Sequence, residues 1–529
     1  MSNELEFLSR RVAAGKLNRR DFLGRAAALG VSATFANSLL STAGYAEEPV
    51  KGGLLKAGLV GGEATNSLDP ASFLSQVPYS FGRSWGELLL ELKADGGLEY
   101  RIAEEFSASD DAKEWTFKIR KDVEFHNGKT VTAEDVLATL ERHSDENSKS
   151  GALGVVKGID RMKVDGGNLV ITLKEANADL PYLLADYHLI IQPGGGKDKP
   201  DAGISAGPYK VAVNEPGVRY GGERFANYWN AGNYGHADQI EIIVINDATA
   251  RTAALQSGQV HMINRVEPKI VDLVKRVPGV TIRNVSGAGH YVFIMHCNTA
   301  PFDNNDLRMA LKLAMDRQEM VDKILLGYGS VGNDFPINAS YPLFPEGIEQ
   351  RAYDPEQAAH YYKKSGHSGS VLLRTSEVAF PGAVDAAQLY QQQAAKAGIT
   401  IEVKREPGDG YWSEVWNKQP FSTSYWGGRP VQDQMYSTAY LSTSDWNDTR
   451  FLREDFDKVI IAARAELDEA KRRDLYRTAA MMVRDEGGLI LPMFNDFIDA
   501  SGPKVGGWTE HRSGEMMNGY ALSKCWLTA

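Results

Sequence analysis

Cysteine is scarce in this 529-residue chain, and its scarcity argues against a protein built on disulfides. The chain contains only Cys297 and Cys525, which form no CxxC motif, and their distance in the sequence leaves open whether they pair. The ten histidines show neither an HExxH motif nor a Cys/His pattern with metal-ligand spacing. We therefore expect no metal site and no bound cofactor.

The sequence also lacks an excess of positive charge and a long apolar run after its leader. The 58 lysines and arginines are outnumbered by 69 aspartates and glutamates, and the net charge is −11, which argues against nucleic acid as a partner. After residue 46 no uninterrupted apolar run approaches the ~20 residues that span a bilayer. We find no internal repeat, and the length predicts two or three domains with full cores.

The amino terminus differs from the rest in being basic and then apolar. Arg19 and Arg20 precede an alanine-rich segment over 26–36, and small residues follow up to Ala46. This order is typical of a twin-arginine export signal, although an amphipathic surface helix is an alternative. We predict that residues 1–46 are a cleaved signal peptide. No cysteine lies near the cleavage site, so we expect a soluble periplasmic protein of a Gram-negative cell without a lipid anchor.

Strand and helix patterns alternate along the chain that follows. Residues 114–120 alternate polar with apolar and predict a strand, and a hairpin-type Asn-Gly turn follows at Gly128. The segment 132–135 has the capping spacing of a helix start. Residues 306–326 and 456–483 have the apolar spacing of helices, and we interpret these apolar positions as core.

The segment YWGGRPVQDQMY predicts a ligand pocket rather than core. Gly427 and Gly428 let the backbone approach a ligand closely, and Tyr425 and Trp426 can bury area against it at little entropic cost. Arg429 presents a planar, permanently charged fork that suits a carboxylate. The alternative is that the aromatic residues are ordinary core.

Several ordered blocks then carry a resemblance to a known family. Residues 115–136, WTFKIRKDVEFHNGKTVTAEDV, resemble the signature segment of the family 5 extracellular solute-binding proteins, the peptide, nickel and opine receptors of ABC importers. Further matching blocks follow the family order at 67–70, 207–211, 227–229, 252–259, 298–302 and 307–311. Independent blocks in the correct order are far more specific than one short motif.

The resemblance implies an α/β fold with two lobes joined by a hinge and an extra third domain. It assigns residues 73–199 to lobe II and residues 286–489 to lobe III. Lobe I is discontinuous and collects 47–72, 200–285 and 490–529. The family further implies a monomer that closes over its ligand in the cleft and delivers it to a membrane-embedded ABC permease.

The segment around Arg429 departs from the family pattern. Peptide-binding members commonly carry an aspartate after the Trp-x-Gly element, where it holds the peptide's amino group, but Gly428 stands there in this sequence. The resemblance therefore implies a carboxylate receptor in place of an ammonium receptor. Asp433 and Glu377 are candidates for a cationic group of the ligand. Trp412 is a further candidate for the pocket, with core as its alternative.

Two other functions are weighed against solute binding. Gly203 to Gly207 matches the GxSxG formula of a serine hydrolase with Ser205 as nucleophile, but a loop precedes it and a strand-like segment follows, whereas the nucleophile elbow needs a strand before and a helix after. A chaperone-like binder of unfolded peptides is the second alternative. We favour a non-enzymatic receptor for a peptide or an amino-acid-derived, carboxylate-bearing solute such as an opine-like conjugate.

Overall fold

The computed structural model describes residues 49–145, 148–466 and 468–528, so the predicted leader lies outside the described residues. The strands are β1 Leu54–Leu59, β2 Leu90–Leu92, β3 Leu98–Tyr100, β4 Ala103–Ala108, β5 Glu114–Ile119, β6 Ile159–Asp165, β7 Asn168–Leu173, β8 Tyr209–Glu215, β9 Arg219–Arg224, β10 Gln239–Val244, β11 Met262–Ile263, β12 Thr281–Met295, β13 Gly329–Val331, β14 Val371–Thr375, β15 Ile401–Arg405, β16 Phe421–Trp426, β17 Leu489–Ser501, β18 Val505–Gly506 and β19 Trp526–Leu527.

The helices alternate with these strands, which confirms the predicted α/β class. They are α1 Gln76–Trp85, α2 Ala133–Ser144, α3 Leu153–Val156, α4 Leu180–Leu183, α5 Ala248–Gln256, α6 Val271–Lys275, α7 Asn305–Leu313, α8 Arg317–Met320, α9 Pro355–Lys364, α10 Ala383–Ala395, α11 Gln432–Ala439, α12 Glu454–Ala465, α13 Glu469–Glu486, α14 Glu515–Asn518 and α15 Ala521–Lys524. Among the described residues, no helix has the length and apolar character required to cross a membrane.

One large mixed sheet of 11 strands forms the frame of the molecule. Its order is β15-β14-β16-β12-β17-β11-β1-β10-β9-β8, with β13 paired to β17. The strands of predicted lobe III therefore occupy one end of the sheet and those of predicted lobe I occupy the other. The long antiparallel strands β12 and β17 lie between the two ends and connect them, and the predicted boundaries at 285/286 and 489/490 fall inside these strands.

A separate four-stranded antiparallel sheet, in the order β4-β5-β7-β6, forms the core of the middle part of the chain. The predicted strand appears as β5, whose residues alternate between buried and exposed positions and pack Trp115 and Phe117 inward. The predicted cap is also confirmed, because the Thr132 hydroxyl and the Asp135 carboxylate form a reciprocal capping box at the start of α2. This sheet lies within predicted lobe II.

Helix α1 lies within the range predicted for lobe II but packs elsewhere. Phe73, Val77, Phe81 and Trp85 belong to the same buried cluster as Leu55 of strand β1. These apolar side chains recur at the spacing that places one face of a helix on a sheet. The chain up to about residue 85 therefore packs on the main sheet, and the four-stranded sheet begins only after this helix.

The structure divides both long helical segments predicted from the sequence. Residues 306–326 form α7, α8 and a π-turn, because Asp316 caps the start of α8 and interrupts the helix. Residues 456–483 form parts of α12 and α13, and Asp468 caps the start of α13. Arg464, near the end of α12, pairs with the buried Asp433.

Candidate functional site

The main cavity lies where predicted lobes I, II and III meet and has a volume of about 1070 Å³ including its mouth. Its lining residues are Leu74, Ser75, Gln76, Tyr79, Arg83, Leu92, Tyr182, Ala185, Asp186, Tyr187, Arg265, Trp412, Trp416, Tyr425, Trp426, Gly427, Gly428, Arg429, Pro430, Gln434, Trp446, Phe497, Ser513, Gly514, Glu515 and Asn518. Residues from six separate stretches of chain thus converge on one space.

The five consecutive residues predicted from the YWGGR motif all line this cavity. Tyr425 and Trp426 end strand β16, which pairs with β12 at the centre of the sheet. Gly427 and Gly428 follow the strand, and a Cβ added at Gly428 would lie 3.1 Å from Ala288 Cβ on β12. Such close approach favours glycine at this position. The rigid strand and the glycine turn together place Arg429 in the cavity wall.

Arg429 is half-buried and its guanidinium is weakly bound by the protein. Nη1 donates two long hydrogen bonds of 3.4 Å to the carbonyl oxygens of Gly427 and Gly428. Nε is buried and has no hydrogen-bond partner. Within the described part of the chain, no carboxylate oxygen lies within 4.0 Å of this guanidinium. Arg429 therefore has free capacity for an anion.

Aromatic side chains form one wall of the cavity. Four indoles contact one another in a chain from Trp412 through Trp416 to Trp426 and Trp446, with ring centroids 5.7–6.3 Å apart. Trp412 and Trp426 are also buried, so the pocket and core interpretations both apply to them. A wall of this kind offers a large apolar surface with few rotamers to freeze on binding.

A buried acid fixes the orientation of two of these indoles. Asp448 Oδ2 accepts hydrogen bonds from Trp416 Nε1 at 3.0 Å and from Trp426 Nε1 at 3.1 Å. Burial raises the pKa of Asp448 to about 7, although the two indole hydrogen bonds oppose that shift. The aromatic wall therefore rests on a carboxyl group that changes its charge near neutral pH.

The opposite wall carries polar residues that the sequence analysis did not single out. Asp186 Oδ1 lies 2.6 Å from His188 Nδ1, and Oδ2 accepts a hydrogen bond from Gln434 Nε2 at 3.2 Å. Burial acts to raise the pKa of Asp186, but His188 and Arg429 outweigh it and hold the pKa below its usual range. Asp186 is therefore ionised, and the Gln434 bond connects predicted lobes II and III across the cavity.

Two more arginines reach the cavity from predicted lobes I and II. Arg83 donates hydrogen bonds to the Tyr520 hydroxyl and to the Ala185 carbonyl oxygen. Arg265 Nε donates to Glu515 Oε1 at 2.6 Å, and its guanidinium lies 4.2 Å from the centroid of the Tyr425 ring. These residues lie far apart in the sequence, and no local motif marks them as site residues.

The structure places two predicted candidates outside the cavity. Asp433 is fully buried and pairs with Arg464, with 2.9 Å between Oδ1 and Nε. Glu377 has 52 % of its side chain exposed and lies 3.5 Å from Arg405. Asp433 lies outside the cavity because helix α11, which begins at Gln432, directs its carboxylate into the interior. Neither side chain is positioned to contact a solute in this cavity.

The hydrolase alternative fails on geometry. Ser205 is fully buried, its hydroxyl donates to the Ile191 carbonyl oxygen at 2.6 Å, and its Oγ accepts from the Glu87 amide at 3.0 Å. Strand β8 follows instead of the helix that a nucleophile elbow requires. Ser205 thus serves as a structural bridge between loops.

The two cysteines and candidate metal-ligating side chains lie among the described residues. Cys297 and Cys525 are free thiols that pack in different parts of the molecule. Across the residues that the structure describes, no group of three or more His, Cys, Asp or Glu side chains could hold a metal ion.

Comparison with known proteins gives the family. The model of the bacterial extracellular solute-binding proteins, family 5, matches residues 97–448. The chain belongs to this family. The match spans the four-stranded sheet and most of the cavity wall, including the YWGGR motif. A substrate-binding role follows from family membership, and it agrees with a large cavity whose walls carry binding groups.

Curated relatives and solved structures of this solute-binding family are distant in sequence. The di/tripeptide-binding protein 1 of Pseudomonas aeruginosa is 25% identical over 426 residues, covering 73% of this chain and 78% of its own. The glutathione-binding protein GsiB of Pectobacterium atrosepticum is 24% identical over 472 residues, covering 84% and 90%.

Two solved structures show the same fold as this solute-binding protein. The periplasmic binding protein DppA from Helicobacter pylori, in complex with peptide STSA, has a TM-score of 0.81 at 19% identity over 91% of this chain and 99% of its own. AgaA of A. tumefaciens R10, in complex with agropinic acid, has a TM-score of 0.81 at 22% identity, covering 90% and 99%. The predicted periplasmic-binding-protein architecture is confirmed.

Proposed function

We propose that this protein captures a small carboxylate-bearing solute, a peptide or an amino-acid-derived conjugate, and delivers it to an ABC permease. The solute occupies the cavity between the lobes, where Arg429 binds its carboxylate and the four-tryptophan wall covers its apolar part. Asp186, on the opposite wall, is the acid available to a cationic group of the solute.

The proposal rests chiefly on the unpaired guanidinium of Arg429. A buried or half-buried charge is normally paired, since an unpaired one loses hydration without recovering it elsewhere. Arg265 in the same cavity follows this rule, whereas Arg429 has two carbonyl contacts at 3.4 Å and no carboxylate partner within 4.0 Å among the described residues. The missing partner is best supplied by a ligand carboxylate, which matches the guanidinium fork with two parallel hydrogen bonds.

The relatives support the same ligand class. Those named above bind di- and tripeptides or glutathione, and the solved structures hold a peptide or agropinic acid. Peptides and organic acids carry at least one carboxylate at neutral pH. The glycine at position 428, where peptide-binding members commonly have an aspartate, supports recognition through the acid rather than the amine.

The leader supports a location outside the cytoplasm. Arg19-Arg20, the alanine-rich segment and the small residues up to Ala46 support export by the twin-arginine route. The absence of a cysteine beside Ala46 in the sequence supports a free periplasmic protein rather than a lipoprotein. We propose that it acts as a monomer, as the resemblance implies.

Ligand binding in this arrangement would favour the closed form. Gln434 and Asp186 already contact each other across the cavity, and a ligand that touches both walls adds contacts that an open form lacks. Such differential contacts are the physical requirement for closure by a ligand.

The testing experiment is a thermal-shift screen with matched ligands. The protein from Glu47 onward is mixed with di- to pentapeptides, amino-acid–sugar conjugates, simple sugars and nickel, and each peptide is paired with its carboxyl-terminal amide. A ligand at about a thousandfold its Kd adds about 4 kcal/mol of stability. We expect shifts with free acids and none with amides. Equal shifts for acids and amides would contradict carboxylate recognition.

A further inference from the structure

A second, smaller cavity lies behind the main one. It has room for about one water molecule, and its lining combines the apolar Tyr291 and Leu325 with the charged Asp496. Two residues belong to the linings of both cavities, Arg265 and Glu515. The wall between the two spaces is therefore made by one ion pair.

The pair is built as a fixed wall. Arg265 and Glu515 are each 8 % exposed, and Arg265 Nε lies 2.6 Å from Glu515 Oε1. Asn264 Nδ2 donates to Glu515 Oε2 at 3.0 Å, so both carboxylate oxygens are bound. The ring of Tyr425 covers the guanidinium on the side of the main cavity. Separating such a pair would leave two buried charges without partners.

The backbone under both partners is strained, and neighbouring contacts maintain it. Arg265 has φ of 47°, and the residues after Glu515 form a left-handed turn with φ of 52° at Met516 and 56° at Asn518. Side chains with a Cβ rarely adopt this region. Asp499 Oδ2 accepts from the Met516 amide at 2.6 Å, and the Tyr79 hydroxyl donates to the Asn518 carbonyl oxygen at 2.7 Å. Strain that is held in this way beside a cavity points to a functional constraint.

We infer that the Arg265–Glu515 ion pair is a partition that ends the ligand site and limits the length of the ligand. A short solute fits within the main cavity, whereas a longer chain would have to displace the pair, because the space behind it has room for only about one water molecule. The pair is thus a specificity determinant, and Asp499 and Asn264 position it. This inference rests on the proposed function, since it assumes that the main cavity holds the solute.

The test compares peptide length profiles of wild type and a variant without the wall. Arg265→Ala/Glu515→Ala removes both partners of the ion pair together. The matched control is Arg374→Ala/Glu406→Ala, an ion pair between the same residue types that lines neither cavity. Alanine peptides of two to six residues are titrated calorimetrically into each protein.

We expect wild type and the control to favour the short peptides. The wall-less variant should shift the ratio of affinities, long over short, by at least about tenfold toward the long peptides. A folded variant whose ratio stays within about threefold of wild type would overturn the inference.

Two further measurements keep the inference testable if peptides fail to bind or the variant fails to fold. The crystal structure of the double variant should show one continuous cavity, and two separate cavities would overturn the partition without reference to any ligand. Failure of every solute in the screen would instead count against the proposed function. If the double variant does not fold, the milder Arg265→Gln/Glu515→Ser shortens both side chains, and the same length ratio and cavity criteria apply to it.

Discussion

Arg265 and Arg429 lie in the wall of the same cavity but have opposite surroundings. The guanidinium of Arg265 is bound to Glu515 at 2.6 Å and covered by Tyr425. The guanidinium of Arg429 donates two long hydrogen bonds of 3.4 Å to carbonyl oxygens and lies 5.9 Å from the centroid of the Trp426 ring, and no carboxylate oxygen of the described residues lies within 4.0 Å of it. One arginine has its charge balanced by the protein, and the other has not.

The two arginines should therefore contribute differently, Arg265 to the structure of the cavity wall and Arg429 to recognition of the ligand. A paired arginine shapes the cavity and contributes to folding stability, so removing its charge should be felt mainly in the unfolding free energy. An unpaired arginine contributes little to folding and has its bonding capacity free for a ligand. Four substitutions test this difference between the two arginines.

Of the four substitutions, Arg265→Ala should have the largest effect, and we expect this effect on folding stability. It leaves Glu515 buried without its partner, which we expect to lower the free energy of unfolding by about 3–5 kcal/mol. Urea denaturation at pH 7 measures the change. The Arg265→Ala/Glu515→Ala protein should be less destabilised than the single variant. A single variant as stable as wild type would show that the pair is not a structural element.

Arg429→Ala should act on affinity instead. We expect it to weaken binding of a carboxylate ligand by about 2–5 kcal/mol, because one desolvated ionic contact is lost. Calorimetry with the best ligand from the screen measures the loss, and urea denaturation should show a change below about 0.5 kcal/mol. Arg429→Lys is the matched control, since it keeps the charge but not the fork. Unchanged affinity in Arg429→Ala would remove this residue from the site.

Asp448→Asn tests whether the carboxyl group that binds two indoles of the cavity wall makes the stability of the fold depend on pH. The carboxyl has its pKa raised to about 7 in the fold, from an ordinary value of 3.8. The folded form therefore binds the proton more tightly, and wild-type stability should fall as pH rises from about 4 to about 7. The slope within that window is about 1.4 kcal/mol per pH unit.

Asparagine at position 448 keeps an oxygen for the two indoles but cannot ionise, so that variant should lack this loss. Urea denaturation of both proteins at several pH values from 4.5 to 7.5 measures the difference. Parallel stability profiles for the two proteins would show that Asp448 does not titrate in this range.

Glu377→Ala should have the smallest effect. The side chain is 52 % exposed and lies outside the cavity, where it forms a surface pair with Arg405. We expect changes below about 0.5 kcal/mol in both unfolding free energy and ligand affinity. The same calorimetric and urea assays serve here, and a clear loss of affinity would place a second solute-binding region at the Glu377 loop.

Local sequence patterns predicted the elements whose causes are local. The alternation of 114–120 became strand β5, and the capping spacing of Thr132 and Asp135 became a capping box. The long helices were less predictable, since the same apolar spacing continues through Asp316 and Asp468, which act as caps and divide them. Apolar periodicity reports a buried face and does not report where a helix is interrupted.

The YWGGR motif was predictable as part of the cavity wall because its pattern consists of five neighbouring residues. All five line the cavity, as does Trp412. Asp433, only four positions after Arg429, does not line it, because helix α11 rotates successive side chains by about 100° and directs this carboxylate to Arg464. Nearness in sequence therefore did not imply nearness to the cavity.

The α/β class, the family blocks and the cavity segment around Arg429 could be read from the chain, since each depends on residues close together in it. Which charges are balanced became known only from the folded arrangement. Arg265 and Glu515 are 250 positions apart, and Asp186 meets Gln434 across 248 positions. Charge pairing depends on distances of a few ångströms that the folding of the whole chain creates, and no local pattern encodes them.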